Sequence, residues 1–234
     1  MELRSLMDPH YKLVIFDLDG TLIDSKLDLA HAVNATRTHM ALGPLSHELI
    51  YSYVGNGAPV LIRRALGNEA SQADVDAALE YFLSYYREHK LDYTVLYPGV
   101  RQSLDELRDA GVRMAVLTNK PFRISREILD GLGVGPHFFQ VYGGNSFEQK
   151  KPDPVGIHAL LVESGISALE AMMVGDSGVD IQTARNAGIA AVGCSWGFQP
   201  ESLLIDTPDY LIENMTELAG IVRSPSTVRL DAII

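Results

Sequence analysis

Short blocks of consecutive apolar residues recur along this chain and end on polar or turn-forming residues. They fall at 13–16, 114–117, 141–142, 171–174 and 190–192, with a weaker one at 210–212. Consecutive rather than alternating apolar positions mark strands buried on both faces, as in a parallel sheet covered by helices. From residue 98 onward the blocks alternate with helical patterns. In "PGVRQSLDELRDAG" a proline stands near the start and a glycine at the end, and Val100, Leu104 and Leu107 share one face. "FRISREILDGLG", "DPVGIHALLVESG", "VDIQTARNAG" and "MTELAGIV" read the same way. This βαβα alternation predicts an α/β fold with a Rossmann-like parallel sheet core.

The alternation breaks between residue 25 and about residue 97. "LDLAHAVNATRTHMALG" and "DVDAALEYFLSYYREHK" have the period of amphipathic helices, "SHELIYSYVGNGAPVLIRRALG" lies between them, and no strand is predicted. A mostly helical run of about 70 residues far exceeds an ordinary βα connection, so it must be an insertion. The expected division is residues 1–24 and 96–234 for the α/β core and 25–95 for a small inserted helical domain. The insertion ends at "YPGV", where Pro98 and Gly99 punctuate the return.

Composition narrows the function. The 234 residues are 47% hydrophobic and 21% charged, ample for a sizeable core. No apolar run approaches the roughly 20 residues that a membrane span requires. The opening "MELRSLMDPHYK" lacks an apolar signal core, so a cytoplasmic location with no membrane partner is expected. The single cysteine, Cys194, excludes an internal disulfide, fits a reducing compartment, and reads as a packed thiol rather than a nucleophile. With a net charge of −11 and no Lys/Arg-rich run, nucleic-acid binding is not expected. Arg63 and Arg64 in "LIRRALG" read as a solvated helix face. An acidic protein binds an anionic substrate only by concentrating positive charge locally, which points to a bound metal.

The stretch "VIFDLDGTLIDS" then becomes informative: two carboxylates, Asp17 and Asp19, end the first apolar block. Burying an ionised carboxylate is costly unless something compensates for it. In open parallel sheets, sites form beyond the carboxyl ends of strands. Four polar clusters fall at such places: Asp17, Asp19 and Thr21; Thr118 and Asn119; Lys150 and Lys151; and Asp176, Ser177 and Asp180. Singly, each also reads as a turn or a helix cap. Together they supply carboxylates for a hard cation such as magnesium, a lysine to neutralise a phosphate dianion, a carboxylate nucleophile, and a second acid for proton transfer.

In their order, these motifs resemble the haloacid dehalogenase superfamily in its phosphatase branch: "DLDGTL", "LTN", "KKPDP" and "VGDSGVD" look like its four motifs. The resemblance implies that Asp17 is the nucleophile and a magnesium ligand. Asp19 is then the general acid/base, with its backbone carbonyl also on the metal. Thr118, Asn119 and Lys151 bind the phosphoryl group, and Lys151 is preferred to Lys150 because it directly precedes the proline. Asp176 is a metal ligand, and Thr21, Ser177 and Asp180 are supports. The insertion is similar to the family's small helical cap. An aspartate at position 19 favours phosphate-ester chemistry over dehalogenation. "VGNGAPVLIRRAL", "YPGV" and "KKPDP" look like the phosphoglycolate phosphatase subgroup, in which the loop of Gly55, Asn56 and Gly57 faces the active site and selects substrate. "GGNSFEQKKPDP" and "SWGFQP" depart from the subgroup's wording. The expected activity is magnesium-dependent hydrolysis of a small phosphorylated metabolite such as 2-phosphoglycolate, by a monomer or homodimer. The alternatives are a sugar-phosphate mutase of the same superfamily or a phospho-accepting signalling module.

Overall fold

The structure, a computed structural model, describes residues 10–223. The expectation of a start without a signal core rests in part on residues 1–9, which lie outside the described residues. Among the described residues, no helix is long and apolar enough to cross a membrane.

The chain runs β1 (Leu13–Phe16), β2 (Ile23–Asp24), α1 (Lys26–His39), α2 (His47–Tyr51), α3 (Ala58–Leu66), α4 (Gln72–His89) and β3 (Val95–Leu96). It continues through α5 (Val100–Asp109), β4 (Arg113–Leu117), α6 (Phe122–Gly131), β5 (Gln140–Tyr142), α7 (Val155–Ser164), β6 (Ala171–Gly175), α8 (Gly178–Ala187), β7 (Ala190–Cys194), β8 (Tyr210–Ile212) and α9 (Leu218–Arg223). Six strands form one sheet in the order β5-β4-β1-β6-β7-β8, every pairing parallel. The predicted α/β class and all six predicted strands are present.

The apolar blocks work as double-sided strands. Along β1 all four residues are fully buried. Val14 and Phe16 face one layer, which holds Leu104 and Leu107 of α5 and Ile124 and Ile128 of α6. Leu13 and Ile15 face the other, with Ile157 and Leu160 of α7 and Ile181 of α8. Alternate residues of a strand point to opposite faces, so a strand between two helical layers must be apolar throughout.

The long helical run packs as four helices whose apolar faces continue the first of these layers, through Leu29, Val33, Leu61, Ile62, Phe82 and Tyr86. The chain leaves and re-enters the sheet through a short antiparallel pair, β2 with β3, in which Ile23 faces Leu96. The sequence predicts no strand between residue 25 and about residue 97, and β3 at Val95–Leu96 corrects this. Two residues are too few to establish a period; the pairing exists because the chain returns beside its own exit. Asp28 near the start of α1 fastens this junction. Its buried carboxylate accepts hydrogen bonds from the backbone N–H groups of Tyr93 and Thr94 and from the Thr94 hydroxyl.

Candidate active site

Chain order reverses beside β1: β4 and β5 lie on one side, β6 to β8 on the other. A crevice opens at such a switch point, beyond the carboxyl ends of the strands. The residues that immediately follow β1, β4 and β6 are Asp17, Thr118 and Asp176, and all three are buried. The Asp17 N–H donates to Val174 O at 2.9 Å, which extends the β1–β6 ladder to the nucleophile candidate itself.

Asp17, Asp176 and Asp180 each place a carboxylate oxygen within 4.8 Å of the others. One ammonium serves this cluster: Lys151 Nζ lies 2.9 Å from Asp17 Oδ1 and 2.6 Å from Asp180 Oδ1. Both contacts are buried ion pairs at hydrogen-bond distance. Burial holds Asp17 well above the ordinary carboxylate range, with Asp180 adding to this and Lys151 opposing it. Burial, then Asp180 and Asp17, push Asp176 up as well, against the donated N–H of Phe198. Burial acts to lower Lys151, but Asp17 and Asp180 outweigh it and keep the ammonium charged.

Three buried carboxylates facing one ammonium leave an excess of negative oxygen that fits a hard divalent cation. This has a pH signature. Both raised acids bind protons more tightly in the folded chain than in the unfolded one. The metal-free protein should therefore lose stability as pH rises from the ordinary carboxylate range through the raised values. A cation must displace those protons, so its stabilising effect should grow over the same window. Thermal melting from about pH 5 to pH 9, with chelator and with excess magnesium, reads both trends. A magnesium-induced shift that is flat across that range would contradict this account of the cluster.

Around the acids the loops fit closely. Gly20 has a left-handed φ of 84°, and a Cβ there would stand 2.3 Å from Asp176 Oδ2. Thr21 donates its hydroxyl to Asp176 Oδ1 at 3.2 Å, and the Phe198 N–H donates to Oδ2 at 2.7 Å. Ser177 is the N-cap of α8. Its N–H and hydroxyl both donate to Asp180 Oδ2, leaving Asp180 Oδ1 for Lys151. The side chains of "GDSGVD" thus form a helix cap beside the acid cluster. Lys151 is buried, whereas Lys150 is exposed.

Asn119 is drawn elsewhere. Its side-chain amide donates to Gly55 O and Lys151 O and accepts from the Lys151 N–H. It ties the Lys151 loop to the α2–α3 loop rather than pointing freely into the crevice. Thr118 accepts the Lys120 N–H on its hydroxyl at 3.3 Å. Gly55 and Gly57 line the cavity above Asp17 and Asp19; Asn56, between them, does not. Cys194 is buried, and burial raises its thiol well above the usual value, in keeping with a packed, unreactive sulfur.

Two elements of the site were not anticipated from the sequence. Lys120 in "LTNKP" reaches Asp19 with Nζ at 2.9 and 3.1 Å from the two carboxylate oxygens, and donates to the Tyr86 hydroxyl of α4 at 2.7 Å. Burial acts to lower Lys120, but Asp19 and Tyr86 outweigh it and the group stays cationic. The available signal was a lysine placed directly after a polar strand end. The second element is "SWGFQP": a Cβ on Gly197 would stand 2.1 Å from Asp176 Cβ, and Phe198 and Gln199 line the cavity.

The family model for haloacid dehalogenase-like hydrolases matches residues 14–194. A phosphoglycolate phosphatase of Pseudomonas syringae pv. tomato is 40% identical over 95% of this chain and 82% of its own length. One from Vibrio parahaemolyticus is 39% identical over 90% of this chain and 96% of its own length. The crystal structure of a predicted phosphoglycolate phosphatase from Haemophilus somnus superposes with a TM-score of 0.86 at 32% identity, covering 91% of this chain and 98% of that one. With the parallel sheet, the switch-point acids and the matched motifs, these similarities place the chain in one family: it belongs to the haloacid dehalogenase-like hydrolases.

Proposed function

We propose that the chain is a magnesium-dependent phosphatase that hydrolyses 2-phosphoglycolate through an aspartyl-phosphate on Asp17. The observation that carries this reading is the Asp17 carboxylate: it ends the central strand, sits among Asp176, Asp180 and the Lys151 ammonium, and lines a cavity that Asp19 also lines. The names of the relatives at about 40% identity support the choice of substrate.

A carboxylate oxygen of Asp17 attacks phosphorus, and the bond from phosphorus to the ester oxygen breaks. Asp19 gives its proton to the departing oxygen. Water then attacks the phosphoryl group with Asp19 taking its proton, the acyl-phosphate bond breaks, and inorganic phosphate leaves with Asp17 restored. Thr118 lines the cavity and holds the phosphoryl group; Asn119, its side-chain amide committed to Gly55 and Lys151, positions the loops around it, and Lys151 counters charge on Asp17 and Asp180 from behind them. Thr21 and Ser177 fix the loops that carry the acids. Asp17, Asp176 and the Asp19 backbone carbonyl would hold magnesium, with Asp180 behind them. Bound there, the ion neutralises phosphoryl oxygens that the carboxylates would otherwise repel. Residues 25–95 act as a cap whose loop chooses the substrate through Gly55 and Gly57, which line the cavity, with Asn56 between them turned out of it. The buried free thiol of Cys194 accords with a reducing cytoplasm, where this reading places the enzyme as a monomer or homodimer.

A panel of phosphorylated metabolites, assayed by phosphate release, tests the proposal. The highest kcat/KM is expected on 2-phosphoglycolate with magnesium. Activity should vanish in excess chelator and recover poorly with calcium, whose larger and looser shell suits the in-line geometry less well. Full activity in chelator would remove the metal from the mechanism. A tenfold preference for another ester would remove the substrate.

A further inference from the structure

We infer that Lys120 is the carboxylate-recognising residue of this cavity: it binds the anionic group of the substrate that is not the phosphoryl, and so selects short phosphorylated acids over neutral phosphate esters. This rests on the phosphatase reading above and names what that site recognises beyond phosphate.

Among the described residues lining the cavity, Lys120 is the one side chain with a fixed positive charge. Lys151 stands behind Asp17 and Asp180 and does not line it. The walls beside Lys120 are apolar, with Leu61, Phe82 and Ile124 among them. A substrate carboxylate entering there meets the carboxyl groups of Asp17, Asp19 and Asp176, and among the lining side chains Lys120 is its counter-charge. Burying a carboxylate in this wall without such a partner would be prohibitive.

The geometry offers a place for it. An ammonium has three donors. The Tyr86 hydroxyl takes one at 2.7 Å and the two oxygens of Asp19 lie at 2.9 and 3.1 Å. To protonate a leaving oxygen, Asp19 must turn one of its oxygens toward that atom, and the turn releases a Lys120 donor. In a phosphorylated two-carbon acid the carboxyl carbon is two bonds from the ester oxygen, roughly 2.4 Å away given bonds near 1.5 Å. A carboxylate so close to the oxygen that Asp19 serves falls within reach of the ammonium on which Asp19 already rests. A longer spacer carries the carboxylate past Nζ toward the apolar helices. Tyr86, fully buried and stacked on Phe82 with centroids 5.6 Å apart, fixes the ammonium for this role.

The test compares 2-phosphoglycolate with ethyl phosphate, which keeps the ester and the two-carbon length but lacks the carboxylate. Both are assayed with magnesium-loaded wild type and Lys120→Met. Asp19 loses its partner in the variant whichever substrate is bound, so a fall in kcat common to both reports positioning alone. Recognition appears in the ratio. The wild-type preference for 2-phosphoglycolate in kcat/KM should shrink by at least about tenfold in Lys120→Met, the scale set by truncating one partner of a buried charge pair. KM should rise for 2-phosphoglycolate and stay near its wild-type value for ethyl phosphate. A variant that keeps the wild-type ratio overturns the inference and leaves the phosphoglycolate reading standing. A wild type that shows no preference between the two substrates overturns both. If Lys120→Met does not fold, Tyr86→Phe carries the test: loss of the hydroxyl that fixes Nζ should lower the ratio several-fold, and an unchanged ratio there overturns the inference.

Discussion

Asp17→Asn is expected to abolish turnover, with a loss on the order of 10⁴–10⁶-fold, the range seen when an enzyme loses its covalent nucleophile. The substitution nearly preserves shape, but the neutral amide oxygen lacks the charge of a carboxylate and is too weak a nucleophile to attack phosphorus. The backbone hydrogen bond from Asp17 to Val174 is untouched, so β1 and β6 stay paired and the fold survives. Asparagine also removes one of three mutually repelling acids from a buried cluster, so the metal-free variant should melt no lower than the metal-free wild type. That contrast, intact or improved stability with lost activity, separates a chemical role from a structural one. Acid quenching during turnover should trap the phosphoryl group covalently on wild type and not on the variant. Near-wild-type phosphate release by a homogeneous preparation of Asp17→Asn, or phosphoryl label retained by it, would place the nucleophile elsewhere.

The half of this site that lies on strand ends was readable from the chain because its causes are local. A strand buried on both faces must be apolar at consecutive positions, so the block Leu13–Phe16 announces both the strand and its position in the middle of the sheet. The polar residue that ends such a block must sit at the sheet's carboxyl edge. Asp17, Thr118 and Asp176 follow from that rule three times over. The unread half depends on contacts between distant segments. Lys120 meets an acid 101 positions away and a tyrosine 34 positions away. In the sequence, Tyr86 is one more large residue on the apolar face of an amphipathic helix; its hydroxyl acquires meaning only once α4 docks over the strand ends. The side-chain bonds of Asn119 to Gly55 and Lys151 are equally invisible, since they join three loops. The pairing of β2 with β3 leaves no pattern at all, because two residues cannot show a period.

Asp19→Asn should lower kcat on 2-phosphoglycolate by about 10²–10⁴-fold, the contribution of one positioned acid/base. The size of the loss should depend on the leaving group. An alkoxide departs poorly and needs a proton as its bond to phosphorus breaks, so the first step becomes limiting when Asp19 cannot supply one. A nitrophenolate departs unaided, so the same variant should form the phosphoenzyme readily on an aryl phosphate and stall at hydrolysis, with a burst of phenolate and a smaller overall loss. Equal losses on both substrates, without a burst, would argue that Asp19 does not move the proton. The structure adds a second expectation from its ion pair. Asp19 and Lys120 are mostly buried, their side chains 14% and 5% exposed. Removing the carboxylate leaves the ammonium with the Tyr86 hydroxyl as its main partner, a change that can cost up to about 3–5 kcal/mol for a buried pair. Asp19→Asn should therefore melt lower than wild type. Adding Lys120→Met to it should recover part of that loss, because the stranded charge is then gone. Activity should not return with the stability, since the double variant still lacks the proton carrier. A double variant less stable than Asp19→Asn alone would show that Lys120 is held in place by its packing and not by the carboxylate it faces.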